Sequence, residues 1–299
     1  MGIQRGLNPR FAEMGKIKIG GKGKELKSKA GNNYRQPIKF EHFVVTTTEK
    51  DKETDNFIID ENIMKILGDK PKEIAITLPF DDIDMNFFTS FQYYAGKKCI
   101  CQGDGLTAIR TDKNDNKSQV DCNPEKCEHL LDNKCKVSGI LSCHIKASME
   151  IGGVYRFRTH SWNSVSNILV ALKYFSDNTN GILQGLPLKL KFLKKSTAEH
   201  GNVNVVTIVI DGVEMLELRN KALEESKDRA RLGIDMKLLE NQATNEGFLD
   251  DKDDPEDVHD EFYNENPEPV EGISADETLE KMSEPDKPVA DKPEPGALL

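Results

Sequence analysis

The residues of this sequence best suited to chemistry are its six cysteines, which all lie between positions 99 and 143 of a 299-residue chain. Cysteines that only fill a core would be scattered, so this crowding predicts a metal site. Thiolates bind zinc well, and a structural zinc ion takes four ligands at the corners of a tetrahedron. The six are Cys99, Cys101, Cys122, Cys127, Cys135 and Cys143.

Four of these thiols are the predicted ligands. Cys122 and Cys127 form the best local pair, because only four residues separate them. Cys101 opens a glycine turn, Gln-Gly-Asp-Gly, of the kind that exposes backbone N–H groups to sulfur. Cys135 closes the set. The sequence therefore predicts one structural Zn2+ bound by Cys101, Cys122, Cys127 and Cys135.

Other ligands remain open as alternatives. Cys99 lies two residues before Cys101 and is the main substitute, whereas Cys143 lies in an apparent strand and is expected in the core. His129 and His144 are available, although both are more typical of surface or strand histidines. The spacings match no common iron–sulfur pattern. Motifs of catalytic zinc enzymes are missing too, so the sequence favours a closed, structural site and a protein that is not an enzyme.

Charge divides the chain into a mildly basic body and an acidic tail. The net charge is -10, yet residues 241–299 hold 19 acidic and 4 basic residues, net -15, which leaves +5 for residues 1–240. The same tail contains 7 of the 13 prolines. Such a segment cannot bury enough apolar surface to offset the entropy of ordering, so residues 241–299 are predicted to be disordered.

The start of the chain has the opposite charge. Residues 1–31 contain eight Lys or Arg, two Glu and seven Gly. This composition predicts a flexible basic arm, which either has no partner or contacts nucleic-acid phosphates.

Between arm and tail, the apolar pattern predicts an α+β domain over residues 32–240, with a mixed, mostly antiparallel sheet and a zinc-binding insertion at 99–143. Strands are predicted at 36–48 and 73–78, as a pair at 142–149 and 153–159, and as a hairpin at 186–193 and 203–210. Helices are predicted at 60–67, 86–94, 161–175 and 214–240.

The compartment also follows from the sequence. No apolar stretch reaches the roughly 18 residues of a membrane span, and the N-terminus lacks the apolar core of a signal peptide. We therefore expect an intracellular protein without a membrane partner, whose cysteines are reduced rather than paired in disulfides.

An ordered set of motifs resembles the recombination directionality factor-like family of bacteriophages. The set comprises the basic glycine-rich KIKIGGKGK, a strand ending at 44–48, the acidic LPFDD at 78–82, the C-x-G-D-G turn at 101–105, and YRFRTHSW at 155–162 before a helix. The resemblance covers residues 14 to 200 and leaves out the acidic tail.

The resemblance implies a non-enzymatic accessory protein in the cytoplasm of a bacterial host cell. Members of this family bind a large serine integrase near its coiled-coil arm and redirect recombination from integration toward excision. The implied partners are the integrase and DNA, the latter contacted directly or through the integrase. Arg156 and Arg158 are candidates for contacts with DNA phosphates.

Two other functions remain open. A single-stranded nucleic-acid-binding protein of phage replication would stack bases on Tyr155, Phe157 and Trp162. A metal-dependent hydrolase would bind Mg2+ through an acidic cluster at Asp81, Asp82 and Asp84.

Overall fold

The computed structural model describes residues 11–27, 33–53, 56–95, 98–112, 114–132, 134–148, 152–197 and 201–245. The strands in these ranges are β1 (Ala12–Lys27), β2 (Asn33–Lys50), β3 (Phe57–Ile59), β4 (Glu73–Thr77), β5 (Phe87–Ala95), β6 (Lys98–Gly103), β7 (Thr107–Thr111), β8 (Lys117–Asp121), β9 (Cys135–Ile145), β10 (Gly153–Thr159), β11 (Leu188–Thr197) and β12 (Gly201–Ile210). The helices are α1 (Glu61–Leu67), α2 (Ile83–Asn86), α3 (Glu128–Leu131), α4 (Trp162–Asn178), α5 (Met215–Leu232) and α6 (Met236–Asn245).

The strands join into one sheet that is mostly antiparallel. Its main path runs β3-β2-β1-β10-β9-β5-β6-β7-β8, and β4 connects the β11–β12 hairpin to β9. Among these strand pairings only β1 with β10 is parallel. The predicted α+β class with a mostly antiparallel sheet is confirmed.

Helix α4 begins at a capping serine and packs its apolar face against the sheet. The Ser161 hydroxyl accepts the N–H of Ser164 and begins the helix, as an N-cap residue does. The apolar positions spaced by three or four residues then face inward. A Cβ on Gly139 of β9 would lie 2.9 Å from the Val165 side chain, so helix and sheet are in close contact. The buried apolar residues of α4 are Val165, Ile168, Leu172 and Phe175.

Several other predicted elements are confirmed. Asp60 accepts the N–H groups of Asn62 and Ile63 to begin α1, and Gly68 follows its end with a φ of 94°. Strands 36–48 and 73–78 correspond to β2 and β4, and the hairpin at 186–210 corresponds to β11 and β12. The predicted pair at 142–159 also forms, with Tyr155 opposite Cys143, but residues 146–152 connect it where a tighter turn was expected.

The helix predicted at 86–94 is wrong. Only Ile83–Asn86 is helical, and the aromatic segment that follows is strand β5, which pairs with β9 and β6. Burial alternates along its second half, with Ser90, Gln92 and Tyr94 buried. This period of two belongs to a strand, and aromatic residues favour strands.

The prediction of a flexible basic arm does not hold for residues 12–27. These residues form strand β1, which lies between β10 and β2. Ile17 is 1% exposed and belongs to the core. Lys16 is 2% exposed, and its ammonium lies 3.2 Å from the Glu13 carboxylate. A lysine at a buried position looks like a solvated residue in the sequence, because the carboxylate that makes burial tolerable cannot be inferred.

The single helix predicted at 214–240 is two helices. Gly233 adopts φ 71° and ψ 27° and ends α5, and its N–H donates to the carbonyls of Ala230 and Arg229. This left-handed geometry is the common glycine end of a helix, and α6 then begins at Met236. Residues 246–299, most of the predicted disordered tail, lie outside the described residues, while 241–245 belong to α6.

Each helix in the described ranges is too short or too polar to span a bilayer.

Candidate metal centre

The four predicted ligands lie at one end of the sheet, in a region that we call the cysteine knuckle, residues 98–135. Here β6, β7 and β8 extend the sheet beyond β5, and a short link with α3 returns the chain to β9. Cys101 lies in β6, and Cys122 directly follows β8. Cys127 precedes the first residue of α3, and Cys135 is the first residue of β9.

Strand register explains how cysteines 34 positions apart in sequence meet. Tyr93 of β5 is opposite Cys101 on one neighbouring strand and opposite Cys135 on the other. The β7–β8 hairpin, with Thr107 opposite Asp121, brings the chain back so that Cys122 follows beside the glycine turn of β6. The polar segment between Cys101 and Cys122 thus pairs as a hairpin.

One cavity receives all four thiols. Cys101, Cys122, Cys127 and Cys135 line it together. Its other lining residues are Phe91, Tyr93, Gly103, Ala108, Arg110, Asp121 and His129. The structure therefore brings the four predicted residues to a single place, and Cys99 and Cys143 are outside this lining.

The thiols influence one another electrostatically. Burial, together with the neighbouring thiols at 127, 101, 122 and 99, raises the pKa of Cys135 to about 12. Burial also raises the pKa of Cys122, and the nearby thiols of Cys101 and Cys127 act in the same direction. A hydrogen bond with the Gly105 backbone partly opposes this increase. Neighbouring thiols ionise together only if a cation compensates their charge, which is what a thiolate-bound metal does.

Two features of the lining fit an ion held by thiolates. A Cβ at Gly103 would lie 2.8 Å from the Cys122 sulfur, so only glycine lets this sulfur approach the strand so closely. The Arg110 Nε is buried and finds no hydrogen-bond acceptor among the described residues. Arg110 is opposite Cys101 in the sheet, so an anionic thiolate cluster would supply the acceptor that this guanidinium needs.

The described residues do not contain three or more His, Cys, Asp or Glu side chains already arranged as a metal-binding group. The thiols share a cavity without forming a closed ligand set. Zinc binding by Cys101, Cys122, Cys127 and Cys135 therefore stays a prediction.

The remaining candidate ligands have distinct surroundings. Cys99 is half-buried on β6, and its sulfur lies 3.6 Å from the Cys101 carbonyl oxygen. Cys143 is fully buried in the core, where its sulfur lies 3.7 Å from the Tyr155 carbonyl and burial raises its pKa to about 12. His144 lies on β9, away from the cavity lining, and burial lowers its pKa.

His129 and Arg110 are the residues that sequence reasoning undervalued. His129 lines the cavity, and its ring centre lies 4.9 Å from that of Tyr93. Its position two residues after Cys127 was the only available signal. Arg110 carried no signal, because its place opposite Cys101 depends on strand register.

The chain matches the model of the family described as Gp3-like, recombination directionality factor-like, over residues 14–215. It belongs to that family. The match runs from β1 to the first residue of α5 and includes the whole cysteine knuckle. A search of curated proteins found no match.

In this recombination directionality factor-like chain, the acidic LPFDD segment holds the C-terminal helices in place. Asp81 accepts the N–H groups of Leu183 and Gln184 at 2.9 Å and pairs with Arg229 of α5. Its own N–H donates to Glu240 of α6 at 2.7 Å.

The neighbouring Asp82 begins α2 by accepting the N–H of Met85. Two of the three carboxylates proposed for a Mg2+ site thus have structural partners. The third, Asp84, is exposed.

The arginines proposed for DNA contact are interior in this family member. Both guanidinium groups of Arg156 and Arg158 are nearly buried and pair with Glu13, Arg158 through two contacts of 2.8 Å. The side chains of Tyr155 and Phe157 point into the apolar core, at 4% and 0% exposure. The prediction that Arg156 and Arg158 contact phosphates is wrong, because both side chains form internal ion pairs with Glu13.

Substituting Gly103 tests the close approach to Cys122. The variant Gly103→Ala is expected to bind zinc roughly 10-fold or more weakly, since changes beside metal ligands typically cost 10–100-fold in affinity. Zinc transfer to a chromogenic chelator measures this. The control Gly181→Ala strains a backbone of φ 85° with no atom within 4 Å of the new Cβ, so it should lower stability and leave zinc affinity unchanged. Equal zinc affinity in both variants would contradict the geometry.

Proposed function

We propose that this protein is a recombination directionality factor, a non-enzymatic partner of a large serine integrase that switches the integrase from integration to excision. The observation that carries the proposal is the family match over residues 14–215, which spans nearly the whole described body. The cofactor proposed is one structural Zn2+ held by Cys101, Cys122, Cys127 and Cys135.

The proposed role of the four thiols is to fix the shape of the knuckle. They belong to β6, to the link after β8, to the start of α3 and to β9, so a common ligand would tie these four segments together. Zinc bound by four thiolates is a closed site that supplies folding free energy and offers no open position for catalysis.

A rigid knuckle suits a protein that acts by docking. To reverse direction, the factor needs only to bind one synaptic arrangement of the integrase and DNA more tightly than the other. A difference of about 2 kcal/mol, typical of allosteric coupling, changes the ratio of the two arrangements roughly 30-fold. Integrase contact is therefore proposed to act through binding energy alone.

The two rival functions have lost support among the described residues. Stacking of single-stranded bases needs exposed aromatics, and of the three considered only Trp162 is exposed, at 55%. A Mg2+ site needs free carboxylates, and Asp81 and Asp82 are engaged as described above.

An in vitro recombination assay tests the proposal. The full-length protein is added to the purified large serine integrase that is its proposed partner, with substrates for integration and for excision. We expect excision to become efficient and integration to be inhibited only when the protein is present. Unchanged yields in both directions, with a protein that is folded and loaded with zinc, would refute the directionality role.

A further inference from the structure

The distal half of the first hairpin stands apart from the rest of the sheet. We call residues 20–27 of β1 and 33–39 of β2 the basic ribbon. The pairing of β1 with β10 stops at Ile17, and that of β2 with β3 covers only Thr46 to Lys50. Within the described residues, the strand partners of the ribbon are its own two halves, from Gly20 opposite Lys39 to Lys27 opposite Asn33.

Cations dominate the ribbon. Its residues comprise five Lys or Arg and one Glu, a net charge of +4 over 15 positions. Lys27 and Lys39, near the two ends of the paired stretch, are both exposed. The cations are Lys22, Lys24, Lys27, Arg35 and Lys39.

These charges differ from the three buried basic residues of β1 and β10. Lys16, Arg156 and Arg158 are buried around Glu13, so they cannot reach an external anion. Two contacts with the β11–β12 hairpin lie at the base of the ribbon, just beyond residue 39. Lys194 of β11 pairs with Glu41 at 2.7 Å, and Asn204 of β12 donates to the Phe40 carbonyl at 3.3 Å.

The geometry points to double-stranded DNA as the partner of this ribbon. We infer that the ribbon lies in a groove of the duplex and contacts the flanking phosphates. A two-stranded ribbon fits the major groove, which is about 12 Å wide. Eight residues of strand extend about 26 Å, enough to cross the groove and approach both backbones. Cations along such a ribbon would displace the counterions condensed on DNA.

This inference deepens the proposed function, because it makes DNA contact direct instead of routed through the integrase. The proposed directionality function and the proposed DNA contact of the ribbon can be refuted separately. Directionality depends on integrase docking, and the ribbon predicts affinity for duplex DNA in the absence of any integrase.

The test compares two full-length variants that lose the same amount of charge. The ribbon variant replaces Lys22, Lys24, Lys27 and Arg35 by glutamine. The control variant replaces four exposed helical cations, Lys65, Lys173, Lys221 and Arg231, by glutamine. Circular dichroism and zinc content establish that both fold like the wild type.

Binding to a short duplex of arbitrary sequence is measured by fluorescence anisotropy between ~50 and ~200 mM salt. We expect the wild type and the control to bind alike, and the ribbon variant to bind at least ~10-fold more weakly. Its plot of log affinity against log salt should be shallower by up to about 3 to 4, since each lost phosphate contact removes roughly 0.9 from the slope.

Three results would overturn the inference. Equal losses in both variants would mean that net charge alone matters, and unchanged affinity in the ribbon variant would place DNA elsewhere. The third result is that the wild-type protein does not bind DNA and that the ribbon variant has a larger hydrodynamic radius than the wild type. That outcome would assign the ribbon to the acidic tail of this chain, residues 241–299.

Discussion

Replacing Cys122 by serine is expected to remove zinc from the protein and to destabilise it by several kcal/mol. The apparent free energy of binding structural zinc is about 10–16 kcal/mol in zinc-finger peptides, and most of it is folding free energy. Cys122 is half-buried, so the exchange of sulfur for oxygen costs little through packing alone. Metal analysis after dialysis should give about one zinc per chain in the wild type and near zero in the variant, with a lower thermal midpoint.

Cys99→Ser is the matched control. Cys99 is also half-buried and lies on the same knuckle, two residues from Cys101, yet it is not among the cavity-lining residues. We expect this variant to keep its zinc and its thermal midpoint. If instead Cys99→Ser loses zinc and Cys101→Ser retains it, Cys99 is the ligand and the proposed set is wrong.

Glu13→Gln is expected to lower the free energy of unfolding by about 3 kcal/mol at neutral pH. Burial alone would raise the pKa of Glu13, but the hydrogen bond and charge of Arg158, with the charges of Lys16 and Arg156, lower it from 4.5 to about 2. A shift of that size corresponds to about 3 kcal/mol. The Glu13 side chain is 15% exposed, so solvent screens the interaction only slightly. Chemical denaturation measures the difference.

The pH dependence of that difference has a definite sign. Because the pKa is lower in the folded state, Glu13 stabilises the protein fully above pH 4.5 and loses this effect as the pH falls toward 2. The gap between wild type and Glu13→Gln should therefore close over that interval. Glu41→Gln, which removes an exposed carboxylate from Lys194, is the control and should leave stability unchanged. A gap that stays constant from pH 7 to pH 2 would show that Glu13 acts through packing instead of charge.

Elements with a clear period and a local cap could be predicted from the sequence. Helix α4 has Ser161 at its start and apolar residues at helical spacing, and α1 has Asp60, so each carries its own boundary signal. Strand β11 alternates leucine with lysine, and its partner β12 is β-branched. Such signals are local and need no knowledge of the rest of the chain.

The elements that were missed depend on distant partners. Strand β1 is glycine-rich and basic, and the burial of its Lys16 makes sense only once Glu13 is known to lie beside it and Arg158 of β10. Strand β5 lies inside the sheet, paired with both β6 and β9, and it has polar residues such as Gln92 at buried positions. Tertiary contacts override local propensity in both cases.

The candidate site could be predicted in type but not in full. Four cysteines were identified by residue type and crowding, and the structure brings those four to one cavity. Arg110 and Gly103 could not be found, because their closeness to the thiols is set by the register of β6 against β7. Residue type and crowding therefore indicated the candidate ligands, and sheet register determines what surrounds them.

The most direct measurement is the X-ray absorption spectrum at the zinc edge of the purified full-length protein. Four thiolates around one ion predict a single shell of about four sulfur atoms at about 2.3 Å, with one zinc per chain. A shell of three sulfurs and one nitrogen would instead point to His129, which lines the same cavity. That spectrum, or a protein purified without zinc that is nonetheless folded and active, would contradict the four-cysteine site.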